Sequence, residues 1–263
     1  MLAGTIESTR LPVLYKTCLV VGLGGLFAGV TGPLLSNFVP PLVRDVLGDN
    51  RSAIGAVMAI DNVLLLLLVP WAGAASDRRS ARGQGRLAIV LCGFALAAAG
   101  MAVFSTSTRF GLPGLIATMV VLYSGINLQR SPFQALIADL VPSAHRSLAT
   151  ASVTFQMCVA AIVFLMLAQT LGMRTAFAIA AVTVLAIALA FVAGLREPPT
   201  SDPRVTEATI GSVLKAARTA LSGAVPGMRK IFIASLLLQL TFRHSRRGTR
   251  FTAPSDSDSV PRA

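Results

Sequence analysis

Two charged side chains, Asp61 and Arg130, stand in stretches that are otherwise almost wholly apolar. A carboxylate at the centre of a lipid-embedded helix costs about 2.5–3.5 kcal/mol unless it faces a cavity or a partner. Such a group is suited to carrying a proton or balancing a bound cation. Asp61 is therefore read as a coupling-ion or cavity residue, against the plainer role of a buried hydrogen-bond acceptor. Its neighbour Asn62 is turned about 100° away on a helix and packs elsewhere. Arg130 has three readings: contact with an anionic solute, pairing with Asp77 or Asp139 at an inner gate, or snorkelling to lipid headgroups. The amides of Asn37, Asn127, Gln129 and Gln156 either line a cavity for a hydroxyl-rich ligand or bridge neighbouring helices.

Other chemistry is absent from the sequence. No nucleophile–base–acid set, phosphate loop or metal-ligand spacing occurs, so no enzyme, cofactor or metal site is expected. Cys18, Cys92 and Cys158 fall at unrelated spacing in apolar stretches and read as packing residues. His145 and His244 stand alone in polar segments.

The elements that must position these side chains are helices. Six apolar stretches follow one another at roughly 17–39, 54–75, 87–106, 112–131, 148–170 and 175–195, each near the ~20 residues needed to span about 30 Å of hydrocarbon. They are continuous rather than alternating, which favours helices over strands. With 54% hydrophobic and 13% charged residues, the chain has the composition of a polytopic, all-α membrane protein rather than a soluble globule. A seventh stretch, 231–242, is too short to cross.

The net charge of +12 raises nucleic-acid binding, but its distribution argues for topology instead. With the N-terminus in the cytoplasm, fourteen basic residues fall on inside segments and four, Arg44, Arg51, Arg109 and Arg174, on outside ones. The first apolar run is of spanning length and glycine-rich, unlike a cleavable signal peptide. Pro33, Pro40, Pro70 and Pro132 are expected to mark kinks or helix ends. The run Gly22-Leu-Gly24-Gly25-Leu-Phe-Ala-Gly29 is expected to serve helix packing or a gating hinge.

Between the second and third stretches lies Gly73-Ala-Ala-Ser-Asp77-Arg78-Arg79-Ser-Ala-Arg82-Gly83-Gln84-Gly85-Arg86. A helix-end glycine, an aspartate four residues on and a cluster of arginines form a tight charged turn. With Asp139 and Arg146, which flank the next inside loop, this turn is a candidate gate; a salt bridge from Asp139 to Arg78 or Arg79 is expected there. The turn resembles the signature loop of the major facilitator superfamily, departing from it where the usual glycine is replaced by Gln84. Two further segments sharpen the resemblance: Ile60-Asp61-Asn62, and Arg130-Ser-Pro132-Phe-Gln134-Ala-Leu-Ile-Ala-Asp139 through Arg146. Together they resemble bacterial carriers distantly related to sucrose/proton symporters and, more loosely, to glycoside–pentoside–hexuronide cation symporters. The sucrose carriers place an arginine where this chain has Gln134, which weighs against sucrose.

The resemblance implies a six-helix bundle (1–195) equivalent to the N-terminal half of such a carrier, built from three-helix repeats. A cytoplasmic linker with an amphipathic helix (196–230), an incomplete seventh helix (231–242) and a disordered basic tail (243–263) follow, and truncation is the expectation for this end of the chain. It implies secondary active transport, most simply symport of a sugar-like solute with protons or sodium across a cell inner membrane. The partners are then the solute, the coupling ion and the bilayer, with no nucleic acid. A non-transporting remnant or membrane interaction module, and a drug-efflux carrier, are the alternatives.

Overall fold

The computed structural model describes residues 2–48, 50–104 and 106–195. The linker, its amphipathic helix, the seventh stretch and the basic tail lie outside the described residues. Among the described residues seven α-helices supply six apolar spans: α1 (Leu2–Leu47), α2 (Arg51–Met58), α3 (Ile60–Ala81), α4 (Leu87–Phe104), α5 (Gly111–Leu140), α6 (Arg146–Leu171) and α7 (Met173–Gly194). No strand occurs among the described residues. α2 and α3 form one span, Ser52–Ala81; the Val63 amide still donates to the Ala59 carbonyl at 3.1 Å across the junction. The α2 N-terminus is capped by Asn50, whose side chain accepts from the Ala53 amide at 3.2 Å.

Several helices outrun their apolar stretches. α5 continues nine residues past Ser131 to Leu140, and α3 passes through Asp77, Arg78 and Arg79 to Ala81. Pro33 and Pro40 both lie within α1, so neither ends it. Pro70 and Pro132 are likewise interior to α3 and α5.

Between helices in lipid the hydrophobic effect offers little, and close packing must hold the bundle together. Small residues provide it along two seams. On α1, a Cβ added at Gly25 or Gly29 would run into the backbone carbonyls of Val153 and Met157 on α6. On α4, a Cβ at Gly93 would stand 2.8 Å from the Gly125 carbonyl oxygen and one at Gly100 2.7 Å from the Leu122 Cα, both on α5. The glycine run on α1 is thus a packing seam.

Phenylalanines fill the interior. Phe94 on α4 lies 4.7 Å from Phe27 on α1 and 5.4 Å from Phe191 on α7, ring centre to ring centre, and Phe104 stacks on Phe177 at 4.8 Å. Such pairs add about 0.5–1.5 kcal/mol each beyond area burial. The outer faces carry exposed Leu66, Leu67 and Trp71 of α3, Phe155 and Ile162 of α6 and Leu189 of α7, as a lipid-facing surface requires. Cys18 is buried; Cys92 and Cys158 are exposed on that outer surface rather than packed inside.

Candidate functional site

Spacing along α5 sets the first site. Tyr123, Asn127 and Arg130 recur at intervals of four and three, so they share one helical face. That face meets Thr31 and Ser36 of α1 and Asp61 in the first turn of α3 around a cavity of about 240 Å³. Asn127 is buried, and its amide nitrogen donates both to the Asp61 carboxylate at 3.1 Å and to the Tyr123 carbonyl at 3.0 Å. The second bond fixes which end of the amide is nitrogen, because a carbonyl needs a donor. Asp61 therefore faces an N–H of Asn127 and not its oxygen. The Thr31 hydroxyl is engaged within its own helix, donating to the Phe27 carbonyl at 3.0 Å.

Arg130 lines the same cavity. The sequence put it near the end of a helix closing at 131; α5 in fact continues to Leu140, about 15 Å of rise beyond Arg130, which carries Arg130 away from that end. It pairs with neither Asp77 nor Asp139, and carries no ion pair among the described residues. Asn62 is exposed, on a different face from Asp61.

The other amides lie elsewhere. Asn37 is exposed and donates to the Pro33 carbonyl one turn back, at 2.7 Å. Gln129 is buried between α5 and α4, beside Gly93, and donates to the Ile126 carbonyl at 3.3 Å. Gln156 bridges α6 to α1, donating to the Leu19 carbonyl at 3.0 Å. The outward rotation of Gln129 follows from its spacing, two residues from Asn127 and so about 200° around the helix.

The second site is the turn between α3 and α4. Gly83 and Gly85 both have φ +70, the left-handed region that glycine enters at little cost. The Gly83 amide donates to the Ser80 carbonyl at 2.9 Å and the Gln84 amide to the Arg79 carbonyl at 3.0 Å, the paired bonds of a Schellman helix stop. Gln84 occupies the position between the two glycines and needs no positive φ itself. The turn swings Arg86 back under the helices. Its Nη1 donates to the Asp77 carboxylate and to the Ser76 hydroxyl, and its Nε donates to the Asp139 carboxylate at 2.7 Å. Burial works against the charge of Arg86, but the hydrogen bonds and ion pairs with Asp77 and Asp139 outweigh it and hold the guanidinium above the ordinary arginine range.

The partner of Asp139 is thus Arg86, not Arg78 or Arg79. Arg78 and Arg82 are exposed. Arg146 closes the end of α5, donating to the Val141 and Ala138 carbonyls at 3.3 and 3.0 Å. Gly73 lies mid-helix in α3, where a Cβ would meet the Ser131 hydroxyl of α5 at 2.7 Å. An ion-paired clasp therefore ties the end of α3 to the end of α5.

Residues 19–244 match the family model of the Major Facilitator Superfamily. The chain belongs to the major facilitator superfamily. No curated protein matches it. With six apolar spans among the described residues, it is a multi-pass membrane protein of the secondary-transporter class, whose members bind small-molecule solutes in a lipid bilayer and are in general not enzymes. The paired turn between α3 and α4 and the cavity at Asp61 both draw on α3 and α5.

Proposed function

We propose that the chain serves ion-coupled transport of a small, sugar-like solute, with Asp61 as the coupling carboxylate and Arg130 and Asn127 as solute contacts. The observation that carries this reading is the shared cavity: a carboxylate, an amide and a guanidinium facing one space of about 240 Å³. A proton suits Asp61 better than sodium does. Asn127 offers it an N–H, whereas a sodium ion needs several converging oxygens. The basic residues support a cytoplasmic N-terminus in a cell inner membrane. A reporter fused after Arg109 is then outside, and one fused after Arg82 inside.

The test is uptake of labelled glycosides and sugar acids by cells expressing the chain, with and without a proton uncoupler. Uncoupler-sensitive accumulation that Asp61→Asn abolishes, with solute exchange or binding retained, supports the reading. Full active uptake by a well-expressed Asp61→Asn variant eliminates Asp61 as the coupling site.

A further inference from the structure

Charge balance in the cavity narrows the solute. Among the described residues its titratable or charged lining groups are Asp61 on α3 and Tyr123 and Arg130 on α5; α1 contributes only neutral residues, among them Thr31 and Ser36. Arg130 has no ion pair among the described residues, and Asp61 is held by an amide rather than a cation. The empty cavity, with Asp61 ionised, therefore sums to zero. Proton alone leaves it at plus one, and an anion alone at minus one. A proton on Asp61 together with a monoanion on Arg130 returns it to zero.

We propose that the solute is a hydroxylated monocarboxylate, such as a sugar acid, carried with one proton in an electrically neutral complex. This rests on the reading of Asp61 as the coupling site. Net charge is costly inside a membrane, so the empty and doubly loaded states change access readily and the two half-loaded states do not. Coupling then follows from electrostatics alone. A neutral sugar with a proton leaves the loaded cavity charged. A guanidinium takes a carboxylate through two parallel hydrogen bonds, while Ser36, Tyr123 and Asn127 offer hydroxyl and amide groups to the rest of the solute. A cavity of about 240 Å³ has room for a small organic acid.

The experiment is calorimetric titration of the full chain in lipid nanodiscs with gluconate, lactate and uncharged sorbitol, in two buffers of different ionisation enthalpy. Gluconate is expected to bind with about one proton taken up, read from the difference in binding heat between the two buffers. Lactate also binds with proton uptake; sorbitol binds at least about tenfold more weakly, lacking the charge-assisted pair. Asp61→Asn keeps gluconate binding and loses the proton uptake. Arg130→Gln lowers gluconate affinity by at least about tenfold, and Arg130→Lys restores part of it. Size-exclusion profiles and melting curves establish that each variant is folded.

Sorbitol binding as tightly as gluconate overturns the monocarboxylate assignment. If its binding then takes up a proton that Asp61→Asn removes, the coupling role of Asp61 stands without the anion. Gluconate binding whose proton uptake survives Asp61→Asn overturns both. Binding that requires sodium and ignores pH, or no binding of any probe at millimolar concentration, overturns the proposal.

Discussion

Two groups of charges draw on the same pair of helices, α3 and α5, and are treated in opposite ways. At the ends of α3 and α5, Arg86 faces two carboxylates and a hydroxyl, with its side chain only 11% exposed. Ten residues back along α5, Arg130 and Asp61 share a cavity without pairing, and an amide stands against the carboxylate. A fully partnered group has its interaction energy already realised in the fold. A group left facing open space keeps its interaction for something else. The first arrangement joins helices; the second is the one proposed to bind.

Substitutions separate the two. Arg86→Ala leaves two carboxylates facing each other and should lower the stability of the bundle by about 2 kcal/mol, moderated because Asp77 and Asp139 are 34% and 29% exposed. Denaturant unfolding in detergent checks this, and ligand binding by the folded fraction should change little. Asp61→Asn reverses the pattern. A one-unit pH difference sustains about tenfold accumulation for one proton per solute, and the variant should lose that factor in uptake driven by a pH gradient while melting normally.

Smaller effects sharpen the contrast at the turn. Gly83→Ala forces a side chain into the left-handed region and should cost about 1 kcal/mol of stability, whereas Gln84→Ala should stay within about 0.5 kcal/mol. Equal effects at the two positions would mean that the turn is not held by its helix stop. Asn37→Ala removes only an exposed bond to its own helix and should leave both stability and binding within about 0.5 kcal/mol and twofold, measured side by side with Asn127→Ala.

The six spans were legible because apolar length is a sufficient signal for a helix in lipid. Their ends were less so. Gln129, Arg130 and Gln134 lowered the apolarity of α5 and suggested an end near 131, yet polar side chains that face a neighbouring helix, a cavity or the outside do not interrupt the backbone ladder. Asp61 and Arg130 were each visible as misfits, and Asn127 as one amide among four; what joins them is tertiary. Heptad-like spacing from Tyr123 to Arg130 was the available clue to a common face. The pairing of Arg86 with Asp139 crosses more than fifty positions of sequence, and nothing local distinguishes Arg86 from Arg78, Arg79 or Arg82. Gly93, Gly100 and Gly125 likewise read as ordinary small residues until their partners face them.

Those glycines bear on how force travels through the molecule. Where backbone rests on backbone, as α1 does on α6 and α4 on α5, there are few long side chains whose rotamers can absorb a displacement. Each pair is accordingly stiff against shear and acts as one beam. Thr31 and Ser36 belong to the α1–α6 pair and Asn127 and Arg130 to the α4–α5 pair, so a solute held between them would bear on both pairs at once.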